Sequence, residues 1–306
     1  MRHEFIVGEE VGEERLDRWL AAQLRGYSRS RVQHWIEDGS VLINAQTAKP
    51  STRLTPGNQV VIEIPDPRES LKPMEVPLQI IYQDEDLIVV DKQVGLVVHP
   101  GAGYGEGTLV QGLLYLKCPL SQGSSPERPG VVHRLDKETS GVILLAKNDI
   151  AQQSLTDQFQ ERQVKKSYLA LVHGRFEESM GRIEADIGRD LRHAPHRKIR
   201  LHGGKSAITE FEVLKEIEDL SLLLVKPITG RTHQIRVHLA GIDHYVVGDS
   251  IYGKKRLDPE GTSRMMLHAW KLRFRHPRTT ESLEFTSPLP PEFLAYCAGT
   301  SLERCL

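Results

Sequence analysis

The interpretation of this sequence depends on residues 130–147, which read GVVHRLDKETSGVILLAK. The centre of the stretch, residues 133–140, is polar except for Leu135, and apolar runs flank it at residues 131–132 and 142–145. Short apolar runs bounded by glycine predict buried strands. We therefore expect two strands that hold a polar loop between them, an arrangement that often carries functional side chains.

Two interpretations of this loop stay open on the stretch alone. Asp136, Thr139 and Ser140 are residue types whose side chains accept hydrogen bonds from nearby backbone amides, which makes a capped turn the commoner outcome. A catalytic loop is the alternative. The rest of the chain has to decide between them.

Charge limits the kind of RNA or DNA contact that the chain can make. The 306 residues are enough for two domains, and their net charge of -1 excludes a uniformly basic nucleic-acid binder. Any such contact must be local. Residues 189–205 contain six Arg and Lys residues against the single acid Asp190, although a solvated polar loop is an equal alternative for this run.

Cysteine use and the N-terminus indicate the cellular setting. Cys118, Cys297 and Cys305 are odd in number and widely spaced, which is typical of reduced thiols. The first residues are acidic and lack the apolar segment of a signal peptide, so we expect a cytoplasmic location. His233 and His238 do not have the i, i+4 spacing of a helical metal site, so we expect no metal.

Residues 1–65 predict a small α/β domain. Apolar residues at helical spacing mark two helices, with Leu16, Trp19, Leu20 and Leu24 in the first and Val32, Trp35 and Ile36 in the second. Residues 41–44 and 59–65 follow as short strands. The proline-rich residues 66–77 then predict an extended linker.

Residues 78–306 predict a larger α+β domain. Strands are expected at residues 80–82, 87–90, 165–174, 206–214, 221–228 and 271–275, and helices at residues 109–116, 149–162 and 230–241. Because helices do not follow every strand, we expect a mixed, mainly antiparallel sheet. The glycine-rich residues 101–108 lack the endings of phosphate-binding loops, so we expect a rim or structural loop there.

Motifs in both parts resemble known RNA-modifying proteins. RLDRWLAAQL, YSRSRVQHWIEDGSVLIN and LTPGNQVVIEIP, all within residues 15–65, resemble the S4 RNA-binding module. HRLDKETSG, KKSYLALVHG and GRTHQIRVHLAG, together with LVVHPGAG and VGDSIYG, look like the RluA family of pseudouridine synthases. The match is nearest to members that modify large-subunit ribosomal RNA.

The resemblance implies an isomerisation that needs no cofactor. Uracil is detached from its ribose, rotated and rejoined through C5, and Asp136 would be the catalytic carboxylate. Arg236 would keep Asp136 ionised, because burial without a nearby cation raises the pKa of a carboxyl. Tyr168 would stack on the target base. Arg134 would enter the place that the flipped base leaves.

The partner implied is RNA, bound by a protein that we expect to act as a monomer and away from membranes. The phosphates of the RNA would be contacted by basic residues of both predicted domains, namely Arg29, Arg31, Arg197, Lys198 and Arg231. The same reaction on transfer RNA is the nearest alternative. An inert RNA-binding assembly factor is the alternative from another class, and the complete set of Asp136, Tyr168 and Arg236 argues against it.

Overall fold

The computed structural model describes residues 2–24, 29–64, 71–100, 105–122, 128–190, 197–199 and 203–300, except for the side chains of Ser30, Arg31 and His34. The chain divides into two compact units, Met1–Lys72 and Pro73–Leu306. Among the described residues, no helix is both long and apolar enough to cross a membrane.

The first unit contains the two predicted helices and a four-stranded antiparallel sheet. Its elements are β1 (Arg2–Ile6), α1 (Leu16–Gln23), α2 (Arg29–Glu37), β2 (Val41–Ile43), β3 (Gln46–Thr47) and β4 (Gln59–Glu63). The strands lie in the order β1-β4-β2-β3, so β1 and β3 extend the predicted β2 and β4 on either side.

The apolar residues predicted at helical spacing form the core of this unit. Leu16 and Leu20 on α1 and Val32 on α2 are fully buried, and Trp35 is 2% exposed. Burying one such side chain stabilises the fold by about 1.5–3 kcal/mol relative to leaving it in water. The two helices therefore cover one face of the small sheet, as their spacing predicts.

The second unit is built on one large sheet. The strands of this unit are β5 (Gln79–Gln83), β6 (Leu87–Lys92), β7 (Ser140–Ala146), β8 (Lys165–His173), β9 (Met180–Glu184), β10 (Ile187–Arg189), β11 (Arg197–Ile199), β12 (Ile208–Ile217), β13 (Leu220–Pro227), β14 (Leu267–Arg275) and β15 (Ser282–Thr286). Of these, β10 and β11 form a separate two-stranded sheet. The helices of this unit are α3 (Leu109–Tyr115), α4 (Asp149–Gln160), α5 (Gln234–Ala240) and α6 (Pro291–Cys297), with a short 3-10 helix at Lys255–Leu257.

The order of the large sheet confirms the α+β prediction. Within the described ranges it runs β5-β6-β7-β14-β8-β13-β12-β9, and β15 pairs with β14. Every pairing in it is antiparallel except that of β7 with β14. The sheet is therefore mixed and mainly antiparallel.

The close approach of β7 to β14 explains a glycine of the opening stretch. Gly141 has a φ of +115°, and a Cβ atom there would lie 2.1 Å from the carbonyl oxygen of Ala269. An L-residue with a side chain rarely adopts this conformation, and no side chain fits this contact. Glycine at this position thus allows the strand that follows the polar loop to pair at the centre of the sheet.

The strand predicted at residues 131–132 does not form. Val131 makes only an isolated bridge to Leu145, and Val132 is half-buried at the wall of a pocket. Gly130, with a φ of +70°, turns the chain against the carbonyl oxygen of Ala146. The chain therefore leaves the sheet at once, and the polar loop is held on one side by a turn and on the other by β7.

The segment predicted as a linker falls on both sides of the division between the units. Residues 65–70 lie outside the described part of the chain, and residues from Pro73 onward belong to the second unit. The backbone N–H of Met74 donates to the carbonyl oxygen of Gln111 in α3 (3.2 Å). Val76 packs closely over Gly112. The last residues of the predicted linker are therefore part of the larger unit, because α3 offers them a packing surface.

The basic run at residues 189–205 is a hairpin where it is described. β10 and β11 pair in antiparallel register, with Arg189 opposite Arg197. Residues 191–196 and 200–202 lie outside the described part of the chain. Of the basic run, Arg189 and residues 197–199 therefore lie in paired strands.

Candidate active site

The polar loop at residues 133–139 is fixed by backbone contacts from three directions. At its start, the carbonyl oxygen of Gly130 accepts a hydrogen bond from the N–H of Ala146 (2.8 Å). In its middle, the carbonyl oxygen of Lys137 accepts from the N–H of Gly95 (2.9 Å). The Asp136 carbonyl accepts from the N–H of Thr139 (3.1 Å) and closes a turn. The loop is consequently rigid although it is polar.

Lys92, the last residue of β6, supports the same loop with its buried side chain. The ammonium group of Lys92 donates to the carbonyl oxygens of Leu96 (2.8 Å), Gln93 (3.0 Å) and Lys137 (3.1 Å). Its side chain is fully buried, and burial lowers the pKa of Lys92 to about 7 although Asp136 and Glu138 favour its charged form. Lys92 thus places a buried amino group, hydrogen-bonded to the backbone, beside the residue that follows Asp136.

His133 has a structural contact. Its Nε2 accepts a hydrogen bond from the backbone N–H of Leu144 (3.0 Å), and its ring stacks on Phe159 with centroids 4.7 Å apart. Burial, with a smaller effect from Lys166, lowers the pKa of His133 to about 3, so the ring is neutral. His133 holds the polar loop against β7 and α4.

The helix α5 is anchored through a buried glutamine. Gln234 donates to the carbonyl oxygen of Ile208 (2.9 Å) and to Oγ1 of Thr209 (2.9 Å), both at the start of β12. The hydroxyl of Thr229 donates to Oε1 of Gln234 (2.6 Å). A short helix has little stability of its own, so these contacts decide where its side chains point.

Arg236 of α5 joins two carboxylates. Its Nε and Nη2 each donate to one oxygen of Asp249 at 2.7 Å, and its Nη1 donates to Oδ2 of Asp136 at 3.1 Å. The Arg236 side chain is 4% exposed. Oδ1 of Asp249 also accepts from the backbone N–H of Ile251 (2.9 Å) and Tyr252 (3.1 Å), which fixes the position of that carboxylate.

Electrostatics keep this group charged. Burial on its own would lower the pKa of Arg236, but the hydrogen bonds and charge of Asp249, with the charge of Asp136, raise that pKa above its usual value. Burial likewise favours a neutral Asp249, yet the paired guanidinium holds the pKa of Asp249 below its usual value. Arg236 is therefore a permanent cation beside Asp136.

Asp136 opens onto a pocket of about 580 Å³. Its side chain is 18% exposed, whereas those of Arg236 and Asp249 are 4% and 1% exposed. The pocket wall also includes Tyr168 of β8 and Lys166, two positions earlier on the same strand. The structure thus gathers Asp136, Tyr168 and Arg236 at one pocket.

Burial controls the protonation of the residues across the pocket. It raises the pKa of Tyr168, and the negative charge of Asp136 raises it further, so the phenol is neutral. Burial lowers the pKa of Lys166 to about 8, and its ammonium donates to the carbonyl oxygen of Thr229 (3.1 Å). A neutral aromatic ring facing a carboxylate can stack on a base while the carboxylate reacts with it or with its sugar.

Arg134 and Arg231 also line the pocket. Arg134 is exposed, and Arg231 donates from Nε to the carbonyl oxygen of Ser206 (3.1 Å). Farther along, the N–H of Arg197 donates to the hydroxyl of Tyr252 (2.7 Å). Lys198 is exposed and pairs with Asp190 at 3.4 Å.

Of the two arginines predicted to bind RNA in the first unit, the structure describes the side chain of Arg29 alone. Arg29 is half exposed and donates to the buried carboxylate of Asp17 from Nη2 (2.8 Å) and Nε (3.1 Å). Part of its role is therefore to pair that carboxylate within the unit. Arg31 lies in α2, and its side chain is outside the described part of the chain.

Sequence reasoning did not single out Asp249, Tyr252, Lys92 or Lys166. Asp249 and Tyr252 lie in VGDSIYG, a stretch that resembles the family as a whole and so contained the signal. His233 was considered only as a metal ligand. Its Nε2 lies 3.9 Å from Oδ1 of Asp136, and burial is the main cause that lowers its pKa.

Residues of metal-binding type also meet outside the pocket. Asp84, Asp86 and His276 bring three potential ligand atoms within 4.8 Å of one another. Arg278 donates to both oxygens of Asp86 at 2.7 Å. These atoms are hydrogen-bonded within the protein, so the cluster ties the turn before β6 to the turn after β14.

Together, a rigid polar loop, a carboxylate on a buried arginine and a neutral tyrosine at one pocket define an enzyme site, and the first unit adds a domain of RNA-binding type. The profile of the family described as RNA pseudouridylate synthase matches residues 86–241, and that of the S4 domain matches residues 14–60. The chain belongs to the RNA pseudouridylate synthase family and is an isomerase that acts on RNA.

Individual relatives agree with this assignment. The chain is 42% identical to an uncharacterized RNA pseudouridine synthase, YlyB, of Bacillus subtilis, over 94% of this chain and 95% of the relative. It is 40% identical to ribosomal large subunit pseudouridine synthase D of Neisseria meningitidis, over 95% of this chain and 80% of the relative. The solved structure of human RNA pseudouridylate synthase domain containing 1 aligns with a TM-score of 0.59 at 34% identity, over 70% of this chain and 84% of that one.

Proposed function

We propose that this enzyme converts uridines of large-subunit ribosomal RNA to pseudouridine, with Asp136 as the catalytic carboxylate. The observation that carries the role of Asp136 is its position at the pocket, with one oxygen on the buried Arg236 and the other facing His233 at 3.9 Å. The ribosomal substrate rests on the relative from Neisseria meningitidis, whose name specifies the large subunit.

The reaction needs a group that acts at the ribose or the base while the glycosidic bond breaks. An ionised carboxylate can serve as a nucleophile or as a base, and Oδ2 of Asp136 accepts a hydrogen bond from Arg236 at 3.1 Å. Arg236 is itself held by Asp249 through two hydrogen bonds of 2.7 Å, which fix the position of its guanidinium group. In our proposal, Arg236 therefore positions Asp136.

The target nucleotide has to leave its stack to reach this carboxylate. Flipping a base costs a few kcal/mol, which contacts in the pocket and in the vacated position must offset. Tyr168 is suited to stack on the flipped uracil, because its ring lines the pocket and its phenol is neutral. Arg134 is exposed at the same pocket and is suited to fill the place that the base leaves.

Phosphate contacts would hold the rest of the RNA. The exposed Lys198 and the pocket residue Arg231 are our candidates in the larger unit, together with Arg197, whose backbone N–H donates to the hydroxyl of Tyr252. In the first unit, the S4 match and the half-exposed Arg29 support α2 as the RNA-facing helix, with Arg31 as a further candidate. Such contacts position RNA without reading its sequence.

The substrate can be tested by tritium release. Transcripts of large-subunit rRNA, small-subunit rRNA and transfer RNA, each labelled with tritium at uridine C5, are incubated with the full chain. We expect release to water from large-subunit rRNA alone. Release from transfer RNA alone would replace the proposed substrate, and release from none would contradict the proposed reaction on large-subunit rRNA.

A genetic test separates catalysis from assembly. In a strain lacking this gene, Asp136→Ala should fail to restore pseudouridine to the rRNA. If it nevertheless restored growth and ribosome assembly fully, the biological role would be RNA binding. We further propose that the enzyme works in the cytoplasm as a monomer, since one chain supplies all of the pocket residues named above.

A further inference from the structure

Two polar atoms face each other across a gap at the pocket. Oδ1 of Asp136 and Nε2 of His233 are 3.9 Å apart, which is too far for a hydrogen bond. The second oxygen of Asp136 is already bonded to Arg236. Both residues of the gap line the pocket, so a bound group can reach the two atoms together.

The neighbours of His233 indicate which of its nitrogens carries the proton. Its Nδ1 lies 2.9 Å from the hydroxyl of Tyr252, and the same hydroxyl accepts the backbone N–H of Arg197 at 2.7 Å. A hydroxyl can donate one hydrogen bond and accept two, so the Tyr252 hydroxyl can donate to Nδ1 while it accepts from Arg197. The negative charge of Asp136, 3.9 Å from Nε2, favours the tautomer that carries its proton on Nε2, and Nδ1 then accepts from Tyr252.

The backbone of His233 is held in an uncommon conformation. Its φ is +56° and its ψ is 21°, the left-handed region that residues with a side chain seldom occupy. The residue directly precedes α5, whose first residue, Gln234, is anchored to β12. Strain of this kind persists where the surrounding structure imposes it, commonly at functional sites. Here it directs the imidazole toward Asp136.

We propose that Asp136 and His233 together bind the 2′-hydroxyl of the target uridine and so make the enzyme specific for ribonucleotides. A group that lies about 2.8 Å from both atoms must donate a hydrogen to the carboxylate and accept one from the imidazole. An internal uridine has a single hydroxyl, the 2′-hydroxyl, because its 3′ and 5′ oxygens are part of phosphodiesters. Its uracil offers N3–H, which only donates, and carbonyl oxygens, which only accept.

This inference rests on the function proposed above and adds a specificity residue to it. The 2′-hydroxyl is the group by which a protein distinguishes RNA from DNA at one nucleotide. It is attached to the carbon next to C1′, so its capture holds the glycosidic carbon near Asp136. His233 thereby contacts the substrate without taking part in bond breaking.

The test compares two hairpins that differ in one atom. The hairpin is taken from whichever RNA the wild-type protein modifies, and its target position carries uridine or 2′-deoxyuridine. Single-turnover rates are measured with excess enzyme for the wild type and for His233→Asn. Asparagine tolerates the left-handed conformation but is too short to place a donor where Nε2 lies.

We expect His233→Asn to react about 10- to 30-fold more slowly with the uridine hairpin and at an unchanged rate with the deoxyuridine hairpin. The preference for uridine therefore falls by the same factor. Equal losses on both hairpins, with the thermal unfolding midpoint of the variant unchanged, would overturn the proposal. If neither the wild type nor His233→Asn converts the deoxyuridine hairpin, this hairpin and the pseudouridine product hairpin are compared as inhibitors. Their inhibition constants should differ for the wild type and become similar for His233→Asn.

A tyrosine pair provides an independent comparison. Tyr252→Phe removes the hydroxyl that directs the His233 tautomer while keeping the ring beside Arg236 (5.1 Å to the centroid). It should lower the uridine preference about 3- to 10-fold. Tyr245→Phe loses only an exposed hydrogen bond to Asp243 and should leave the preference unchanged. A wild-type preference for uridine that neither His233→Asn nor Tyr252→Phe alters would show that another group reads the 2′-hydroxyl.

Discussion

The pair of His276 and Asp84 and the pair of His233 and Asp136 place similar imidazole–carboxylate arrangements in two parts of the second unit. In the first, Nδ1 of His276 accepts the backbone N–H of Arg278 (3.2 Å), so Nε2 donates to Asp84 at 3.0 Å. In the second, the corresponding separation is 3.9 Å and opens on a pocket. One pair is closed on itself, and the other leaves room for a hydroxyl oxygen.

The carboxylates of the two pairs also differ in how many of their oxygens are hydrogen-bonded within the protein. Oδ1 of Asp84 accepts the backbone N–H of Asp86 (2.7 Å) and Leu87 (2.9 Å), and its Oδ2 accepts from Tyr82 (2.8 Å) as well as from the histidine. Asp136 has one oxygen on Arg236 and presents the other to the pocket. Residue types alone therefore do not separate a cluster closed by internal hydrogen bonds from one that opens on a pocket; the partners of each carboxylate oxygen do.

The largest effect should come from removing the charge of the open carboxylate. Asp136→Asn should lower the single-turnover rate of pseudouridine formation by about 10⁴-fold, because the reaction loses its nucleophile or base. Arg236 keeps both bonds to Asp249, so the unfolding midpoint should stay close to that of the wild type. Tritium release and thermal unfolding measure the two quantities.

The matched control is the closed carboxylate. Asp84→Asn changes the same atoms in a cluster away from the pocket, and its rate should stay within about threefold of the wild type. A rate loss for Asp84→Asn as large as that for Asp136→Asn would remove the distinction between the two clusters.

The next largest effect should be the loss of folding stability when Arg236 is replaced. Arg236→Met leaves Asp136 and Asp249 without their shared partner, and breaking a buried ion pair from one side costs about 3–5 kcal/mol of folding stability. The addition of Asp249→Asn should recover part of this stability and none of the activity. Urea denaturation of the single and double variants measures the loss. A double variant no more stable than Arg236→Met would show that Asp249 does not need the pairing.

Local patterns predicted those parts of the structure that depend on neighbours in sequence. The helical spacing of Leu16, Trp19 and Leu20 specified α1, and the apolar residues 142–145 specified most of β7. The irregular placement of helices among the strands of the larger unit was enough to predict a mixed, mainly antiparallel sheet. The resemblance to the family directed attention to Asp136.

Contacts between distant residues could not be predicted in this way. Asp249 lies 13 positions from Arg236 and 113 from Asp136, and only folding shows that one guanidinium joins the two carboxylates. The strand expected at residues 131–132 failed because Gly130 turns the chain out of the sheet. Local propensity contains no information about such a turn against a strand that follows later in the chain.

A smaller effect should come from the closed cluster, and it should appear in stability. The hydrogen bonds from Arg278 are the main cause that lowers the pKa of Asp86 to about 2, so this carboxylate stabilises the fold above its ordinary pKa near 3.8. That contribution is lost as the pH falls through about 2. Asp86→Asn should cost about 1–2 kcal/mol at pH 7, a penalty that narrows below pH 4, with turnover unchanged. Urea midpoints at pH 7, 4 and 2.5 test this, and a penalty of constant size would contradict it.

The last prediction concerns how the two regions hold their backbones, and it is measured as the slope of folding stability with pH. Asp84 secures its turn by accepting backbone N–H groups, whereas Lys92 secures the polar loop by donating to backbone carbonyls. Burial lowers the pKa of Lys92 from 10.5 to about 7, so between these values the unfolded chain binds a proton that the folded chain does not. By linkage, this group makes the fold more stable as the pH rises from 7 toward 10.

Lys92→Met removes the titrating group and should flatten that rise, although its absolute stability also reflects the three lost hydrogen bonds. The stability of the wild type relative to the variant should therefore increase between pH 7 and pH 9.5, as measured by urea denaturation at several pH values. The control, Lys226→Met, changes a half-exposed lysine on β13 and should follow the wild-type slope. If the curves of folding stability against pH were parallel for the wild type and Lys92→Met, Lys92 would keep its proton in the folded chain. The polar loop would then be hydrogen-bonded to a permanently charged buried group, as Asp136 is to Arg236.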